Sequence, residues 1–133
     1  MRYTLVNQEQ VRTARCTIGT ATVIAAGDLV AIDNGLIIKA VAASAAIAYC
    51  EKGSADGEVV CEVTVGNDFT LKGTLDAVFA VTYKGGEYDI EDTTQLIDLD
   101  ASSTDVLTID ISENAGVVGS TDDVSVRINK PIF

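Results

Sequence analysis

Residues 27–40, GDLVAIDNGLIIKA, decide how the chain is expected to fold. Two short runs rich in branched apolar residues, 29–32 and 36–39, flank the dipeptide Asn34-Gly35. Asn and Gly accept the positive φ angles that both central positions of a type I′ turn require, so the segment predicts a two-residue β-hairpin. The same order of apolar run, turn and apolar run recurs up to the C-terminus.

Two more hairpins are predicted beyond this one. Residues 57–73 alternate apolar and polar side chains around a turn at residues 66–68, and residues 76–90 repeat the scheme around a turn at residues 85–86. The Ala-rich residues 42–48 are predicted to form a strand in a tightly packed layer. A short helical turn is the alternative there, because Ala is the best helix former.

The C-terminal part predicts three more strands, two within residues 94–111 and a last one at residues 123–129. Leu107, Ile109 and Ile111 are predicted to share one face of the second of these strands, and Val124, Val126 and Ile128 are predicted to face inward from the last. Turn signals about every ten residues are typical of small all-β domains. The sequence therefore predicts an all-β fold, a small β-barrel or β-sandwich built from consecutive hairpins.

The first 24 residues differ in charge from the residues after them. They carry three arginines against one glutamate (+2), whereas residues 25–123 carry four lysines against nineteen carboxylates (−15). Residues 1–15 are predicted to form an extended arm, and roughly residues 17–24 a first strand, because Thr is frequent there and no apolar stripe supports a helix. Residues 25–133 are predicted to form the body of one domain.

The charge and the apolar pattern restrict the partners. The net charge is −11, and an acidic body repels phosphate backbones, so nucleic acid is not an expected partner. The longest run of small apolar residues, 40–50, is shorter than the roughly 20 residues that a membrane span needs, so no membrane partner is expected. The N-terminus lacks an apolar signal segment, which predicts synthesis in a cytosol with reduced thiols.

No catalytic constellation is found, and the protein is not predicted to be an enzyme. The chain has no histidine, which removes imidazole bases and most zinc sites, and it has no phosphate-binding glycine motif. Its three cysteines are Cys16, Cys50 and Cys61. Cys50 and Cys61 could face each other across a hairpin that closes near residues 54–57, but two small buried hydrophobic residues are the favoured interpretation.

One carboxylate-rich stretch invites a test for calcium binding. Its acidic residues are Asp89, Glu91, Asp92, Asp98, Asp100 and Asp105. Two EF-hand frames fail, because Thr94 falls where the invariant Gly belongs in one and Ile109 falls at the Glu position in the other. No metal or cofactor is predicted. A stand-alone β-domain that binds calcium or another ligand between loops remains the alternative function.

Five segments of the body carry a resemblance to a known family. They are AAGDLVAIDNGLIIKAVAASAAIAYCEKGS, GEVVCEVTVGNDFTL, DAVFAVTYKGGEYDI, STDVLTIDI and AGVVGSTDDVSVRINKP. With them the chain resembles the head decoration proteins, or capsid cement proteins, of tailed bacteriophages. The shared features are a GD-φ-V hairpin at the start of the body, strands of small residues, and a closing V-x-V-R-I-N strand. The chain lacks the Pro-rich N-terminus of the best-known members.

The resemblance implies a virion protein on the outer capsid surface, assembled in the host cytoplasm. The expected partners are the major capsid protein, reached partly through the N-terminal arm, and further copies of the chain in a homotrimer at three-fold or quasi-three-fold positions. Residues 2–6 have β-propensity and could add a strand to a neighbour's sheet, while arginines could pair with carboxylates. The candidate contact residues are Arg2, Tyr3, Leu5, Val6, Arg12, Arg15 and Phe133.

Overall fold

A computed structural model of the 133-residue protein describes residues 2–6, 11–19, 22–54 and 59–133. In these ranges the chain forms short β-strands and one 3₁₀ turn (Val81–Tyr83) but no α-helix, which confirms the predicted all-β class. The strands are β1 (Thr4–Leu5), β2 (Thr13–Thr17), β3 (Asp28–Asp33), β4 (Leu36–Lys39), β5 (Ala48–Cys50), β6 (Val60–Thr64), β7 (Leu71–Gly73), β8 (Glu87–Ile90), β9 (Ile97–Asp98), β10 (Leu107–Ile109) and β11 (Val124–Ile128).

The described strands form three antiparallel sheets. The largest has six strands in the order β1-β7-β11-β10-β8-β9, a second has the order β4-β3-β5, and the third pairs β2 with β6. Short isolated bridges connect them, for example between Ile18 and Ile37 and between Ile47 and Pro131. None of the helical structure in the described ranges is long and apolar enough to cross a bilayer.

The predicted hairpin at residues 27–40 is confirmed. Strands β3 and β4 pair in register up to Asp33 and Leu36, and the turn residues Asn34 and Gly35 have φ angles of 50° and 81°. Positive φ at both central positions is the type I′ requirement. The twist of that turn matches the twist of the strands, so the local sequence alone fixes this pairing.

The other two predicted hairpins are wrong in their pairing. Strands β6 and β7 flank the predicted turn at residues 66–68, but β6 pairs with β2, whereas β7 pairs with β1 and β11. In residues 76–90 only the second limb is a strand, β8, and the first limb contains the 3₁₀ turn. Alternation assigns a strand's inward face, but it does not select the partner strand.

Two local predictions also need correction. Ala48 begins β5, but residues 42–46 form turns rather than a strand, because the Val41 N–H donates to the Ser44 hydroxyl (3.0 Å) and the Ser44 N–H donates back to the Val41 carbonyl (3.0 Å). Ile111 does not continue the strand face of Leu107 and Ile109 and is 77% exposed, because the chain turns after β10 where Asp110 accepts hydrogen bonds from Ser112.

The first predicted strand is displaced along the chain. Strand β2 spans Thr13–Thr17, so it begins inside the predicted arm and overlaps the predicted strand only at Thr17, whereas residues 22–24 of the predicted strand are not β. The Thr22 N–H donates to the Gly19 carbonyl (3.2 Å) instead of to a neighbouring strand. Residues 7–10 of the predicted arm, residues 20–21 of the predicted strand and residues 55–58 lie outside the described ranges.

Two apolar clusters form the core. The larger lies on the six-stranded sheet and includes fully buried Leu71, Leu107 and Ile109. The smaller lies between the two-stranded and three-stranded sheets and includes Val30 and Val63. The inward faces predicted for β11 are confirmed, because its side chains at 124, 126 and 128 are fully buried.

Candidate docking site

The beginning of the described chain is a strand of the domain itself. Strand β1 pairs with β7, with Leu5 opposite Leu71, and the Tyr3 N–H donates to the Gly27 carbonyl (3.1 Å). Leu5 is 7% exposed, in the main core cluster. Residues 3–5 therefore differ from the expected extended arm, because their backbone and apolar side chains are engaged inside the domain.

Tyr3 is the main anchor of this segment. Its ring is 1% exposed, its hydroxyl donates to the Gln95 carbonyl (2.7 Å), and its own carbonyl accepts from the Tyr49 hydroxyl (2.9 Å). Burial raises the pKa of Tyr3 above its usual value and that of Tyr49 to about 12, so both phenols are neutral donors. Gly73 lets the ring approach, since a Cβ there would lie 2.4 Å from a Tyr3 ring carbon.

Arg2 is held by a buried carboxylate. Its Nε lies 3.3 Å from Asp28 Oδ1, and its guanidinium also donates to the Thr93 carbonyl. Asp28 has no exposed surface, and its second oxygen, Oδ2, lies 3.2 Å from Lys39 Nζ. Oδ1 has no partner with hydrogen-bond geometry, so the ion pair with Arg2 is the main interaction that offsets the cost of burying this oxygen. Arg2 thus fastens the N-terminal segment to β3.

Three of the remaining predicted contact residues meet at one surface loop. Backbone N–H groups of residues 65–66 donate to the carbonyls of Arg12 (2.8 Å) and Phe133 (3.1 Å), and the Val6 N–H donates to the Thr70 carbonyl (3.0 Å). Val6 is 45% exposed and Phe133 is 47% exposed. The structure therefore brings Val6, Arg12 and Phe133 to the border of residues 65–70, although they are far apart in the sequence.

Strand β2 offers a free backbone edge beside this loop. The Arg12 carbonyl accepts from Val65 and the Ile18 N–H donates to Val59, so the N–H and C=O groups of Thr13 and Arg15 point away from β6. No strand among the described residues pairs with that side at residues 13–15. We call residues 13–15, with the exposed Arg12 side chain, the β2 edge.

The β2 edge carries positive charge on an acidic protein. The side chains of Arg12 and Arg15 are exposed, and Arg15 lies directly opposite Glu62 of β6. An unpaired strand edge presents backbone donors and acceptors to an incoming strand, and guanidinium groups bind carboxylates with directed hydrogen bonds. The arrangement is suited to binding an extended, acidic protein segment.

A second exposed surface is apolar. Its members are Val78, Val81, Ile111, Val117 and Val118, which are 55–77% exposed and which we call the valine patch. Backbone hydrogen bonds join the two chain segments that carry it, since the Phe79 N–H donates to the Ser120 carbonyl (2.8 Å) and the Gly119 N–H to the Phe79 carbonyl (3.1 Å). Sequence reasoning missed this patch, although two adjacent valines in a predicted loop were a signal for it.

Several acidic residues of the carboxylate-rich stretch at 89–105 have structural roles. Burial alone would raise the pKa of Asp89, but N–H groups of residues 103–105 donate to its carboxylate and hold its pKa below the usual value. The carboxylate of Asp92 accepts from the Ala42 N–H (2.9 Å). These two carboxylates hold loops in place through hydrogen bonds, so they are not free to bind a metal ion.

Three carboxylates do converge. Oxygens of Asp76, Asp98 and Asp100 all lie within 4.8 Å of one another. Burial raises the pKa of Asp76, and the nearby charge of Asp98 raises it further. A hydrogen bond from the Leu99 N–H lowers this pKa, but not enough to cancel the rise. Asp76 was absent from the predicted stretch, because the isolated bridge between Leu75 and Ile97 that brings it there joins residues distant in sequence.

Comparison with known proteins adds no family assignment. The chain matches no protein family model, and neither the curated proteins nor the solved structures contain a significant match.

Proposed function

We propose that the protein is a structural virion protein that binds the outer surface of a phage capsid and stabilises the mature head lattice. The observation that carries the proposal is the β2 edge, which no other described strand pairs with and which lies next to two exposed arginines on an acidic domain. The resemblance of five body segments to head decoration proteins supports the same function. The major capsid protein is the proposed partner.

Binding of this kind requires no chemical step. A strand of the capsid protein would pair with the N–H and C=O groups of Thr13 and Arg15, and its carboxylates would pair with Arg12 and Arg15. A protein that binds the mature lattice but not the immature or unfolded one stabilises the mature state by mass action. Many copies on one shell multiply the effect.

The structure changes which residues are proposed to make this contact. Tyr3 and Leu5 are buried, and Arg2 is paired with Asp28, so these three residues are assigned to the domain's own stability. The exposed contact residues retained in the proposal are Val6, Arg12, Arg15 and Phe133.

A single proline substitution in the β2 edge tests this function. The Thr13 N–H points away from β6, so Thr13→Pro removes only the outward donor, and an edge strand tolerates it. We expect this variant to bind heads of the phage that encodes the chain, stripped of their own copies, about tenfold or more weakly than the parent. Co-sedimentation measures the affinity, and Thr13→Val, which retains the N–H, is the matched control.

The outcomes separate the mode of binding from the function. If Thr13→Pro binds as tightly as the parent, the edge is not the docking element. The proposed function is overturned if the parent protein does not sediment with heads even at about 100 μM, which is about 100 times the Kd of a micromolar complex.

We place the contacts of the proposed homotrimer at the valine patch. Patches of exposed apolar side chains mark protein interaction sites, and here the two segments that carry them are joined by backbone hydrogen bonds. Charges of both signs, Lys84 and Glu113, lie in the same two segments. That combination favours a second copy of this chain as the occupant. Sedimentation velocity should show a trimer that Val81→Asp dissociates, with Val23→Asp, at an exposed valine outside the patch, as the control. A monomeric parent at high concentration contradicts this assignment.

The alternative function, a calcium-binding β-domain, is favoured by the cluster of Asp76, Asp98 and Asp100. Calcium binding would release heat in calorimetry and raise the melting temperature, and Asp98→Asn would remove both effects. Titration with calcium that produces neither heat nor a melting shift eliminates this alternative.

A further inference from the structure

Three thiols lie together between two of the sheets. Cys61 of β6 lies directly opposite Cys16 of β2, and Cys50 of β5 is buried in the same apolar cluster as Cys61. Cys50 and Cys61 belong to the smaller apolar cluster, Cys16 packs against it, and all three are free thiols. Cys61 is therefore in the middle, with one cysteine neighbour on its own sheet and the other on the three-stranded sheet.

The three thiols differ in their access to solvent. Cys50 has no exposed surface and Cys61 is 5% exposed, whereas Cys16 is only half-buried. A dissolved oxidant as large as glutathione disulfide must contact a sulfur to react with it. Cys16 is the most accessible of the three, whereas Cys50 can react only when the domain opens.

We propose that these thiols form an oxidative modification site, in which Cys16 reacts first with a small-molecule disulfide and the final product is a disulfide between Cys50 and Cys61. This inference rests on the positions of the three sulfurs and does not depend on the proposed function.

The proposed sequence consists of three thiol–disulfide exchanges. The Cys16 thiolate attacks glutathione disulfide, which forms a mixed disulfide and releases one glutathione thiolate. The Cys61 thiolate then attacks the Cys16 sulfur, which forms the Cys16–Cys61 disulfide and releases the second glutathione. Finally, the Cys50 thiolate attacks Cys61 and releases Cys16 as a thiolate. In sum, two protein thiols are oxidised, and one glutathione disulfide is reduced to two glutathione molecules.

The geometry supports both protein disulfides. Cys16 and Cys61 form a hydrogen-bonded antiparallel pair, for which a Cα separation of about 5.5 Å is usual, within the range of disulfides. Cys50 and Cys61 are packed in the same buried apolar cluster. Burial raises the pKa of all three thiols, that of Cys61 to about 12, which favours slow entry through the most accessible of them.

The direction of the last exchange follows from burial. A disulfide that includes Cys16 stays partly accessible to reducing thiols, whereas one between Cys50 and Cys61 is enclosed by the apolar cluster. The enclosed product resists reduction, so it accumulates. It also joins β5 to β6, which belong to different sheets, and thus adds a covalent link where the described strands have no ladder.

Peptide mapping after oxidation tests the proposal. The full-length protein is incubated with glutathione disulfide, quenched in acid, alkylated and digested. We expect loss of two of the three free thiols, a peptide linked through Cys50 and Cys61, and alkylated Cys16. The oxidised protein should melt about 5–10 °C higher than the reduced protein, and added dithiothreitol should reverse the shift only slowly.

Variants at residue 16 test the entry step. Cys16→Ser should slow formation of the Cys50–Cys61 disulfide about tenfold or more, because the direct reaction requires the domain to open. Cys16→Ala is a second variant in case the serine hydroxyl disturbs folding, and Thr17→Ser, at the exposed neighbouring position, should oxidise at the parental rate. Circular dichroism confirms that each variant is folded.

Three results would overturn the proposal. One is a stable glutathione adduct on Cys16 with Cys50 and Cys61 both alkylated, which shows that the thiols do not exchange. Another is a disulfide between two chains. A third is a parental oxidation rate in both Cys16 variants, which removes Cys16 from the entry step.

Discussion

Strands β1 and β2 come from the same arginine-bearing N-terminal region, but they serve the domain in opposite ways. Strand β1 is the edge of the six-stranded sheet, with Tyr3 and Leu5 in the main core and Arg2 paired with Asp28. Strand β2 has exposed side chains at Thr13 and Arg15 and an unpaired backbone edge among the described residues.

The difference shows what incorporates a terminal segment into a fold. Near β1, the side chains of Tyr3 and Leu5 are buried in the core, and the Arg2 guanidinium is paired with a buried carboxylate. In β2 the side chains turned toward the core are only Ala14 and Cys16, which are half-buried. Apolar burial therefore anchors the first segment, while β2 is held mainly by its backbone pairing with β6.

The comparison predicts that Tyr3 makes the largest contribution to stability in this region. Tyr3→Ala removes a fully buried ring, so we expect the free energy of unfolding to fall by about 3–5 kcal/mol. Tyr3→Phe keeps the ring but leaves the Gln95 carbonyl without its donor, at a cost of about 1–2 kcal/mol. Urea unfolding measures both values.

A Tyr3→Ala cost below about 1 kcal/mol would show that the anchor is not the ring, because surface substitutions have costs of that size.

The packing of β1 in the core also changes how the N-terminal region can be tested. Deletion of residues 1–15 removes β1 and most of β2, so it would damage the fold and could not isolate a docking function.

Neighbouring residues at the end of β1 provide a sharper contrast. Leu5 is buried and Val6 is 45% exposed, so Leu5→Ala should cost about 2–3 kcal/mol and Val6→Ala less than about 0.5 kcal/mol. Urea unfolding of the two variants gives the comparison. Equal costs at the two positions would mean that β1 does not pack against the core as described.

Charge reversal at the β2 edge should affect binding without affecting the fold. For Arg12→Glu, we expect head binding about tenfold or more weaker, with the unfolding free energy changed by less than about 0.5 kcal/mol. Arg127→Glu, on the exposed face of β11, is the matched control because it changes charge away from the β2 edge. Equal loss of binding in the control would indicate that only total charge matters.

The elements that the sequence predicts well are those with local causes. Asn34-Gly35 specifies its own hairpin, and the alternating Val124, Val126 and Ile128 identify the inward face of β11. The class of the fold follows from many such short signals. The pairing of β6 with β2 could not be predicted, because strands of similar composition compete and the choice depends on contacts distant in sequence.

The candidate site was predictable only in part. Arginines in a net positive N-terminal region of an acidic chain pointed to Arg12 and Arg15, but the same reasoning also assigned Arg2 to the surface. What distinguishes Arg2 is its pairing with Asp28, which depends on β3 lying beside the N-terminal segment. No sequence spacing encodes that proximity, and the valine patch likewise forms from two loops that only the fold joins.

The smallest predicted effect compares Arg2 with Arg15 directly. Arg2→Met keeps most of the apolar stem but removes one cation from the buried carboxylate of Asp28, and Lys39 still pairs with its other oxygen. We expect a cost of about 1 kcal/mol from Arg2→Met and less than about 0.5 kcal/mol from Arg15→Met. High salt should weaken the exposed Arg15 pairings with a partner more than the half-buried Arg2 pair. If the two substitutions cost the same in urea unfolding, Arg2 does not secure the N-terminal segment, and the contrast between β1 and β2 rests on Tyr3 and Leu5 alone.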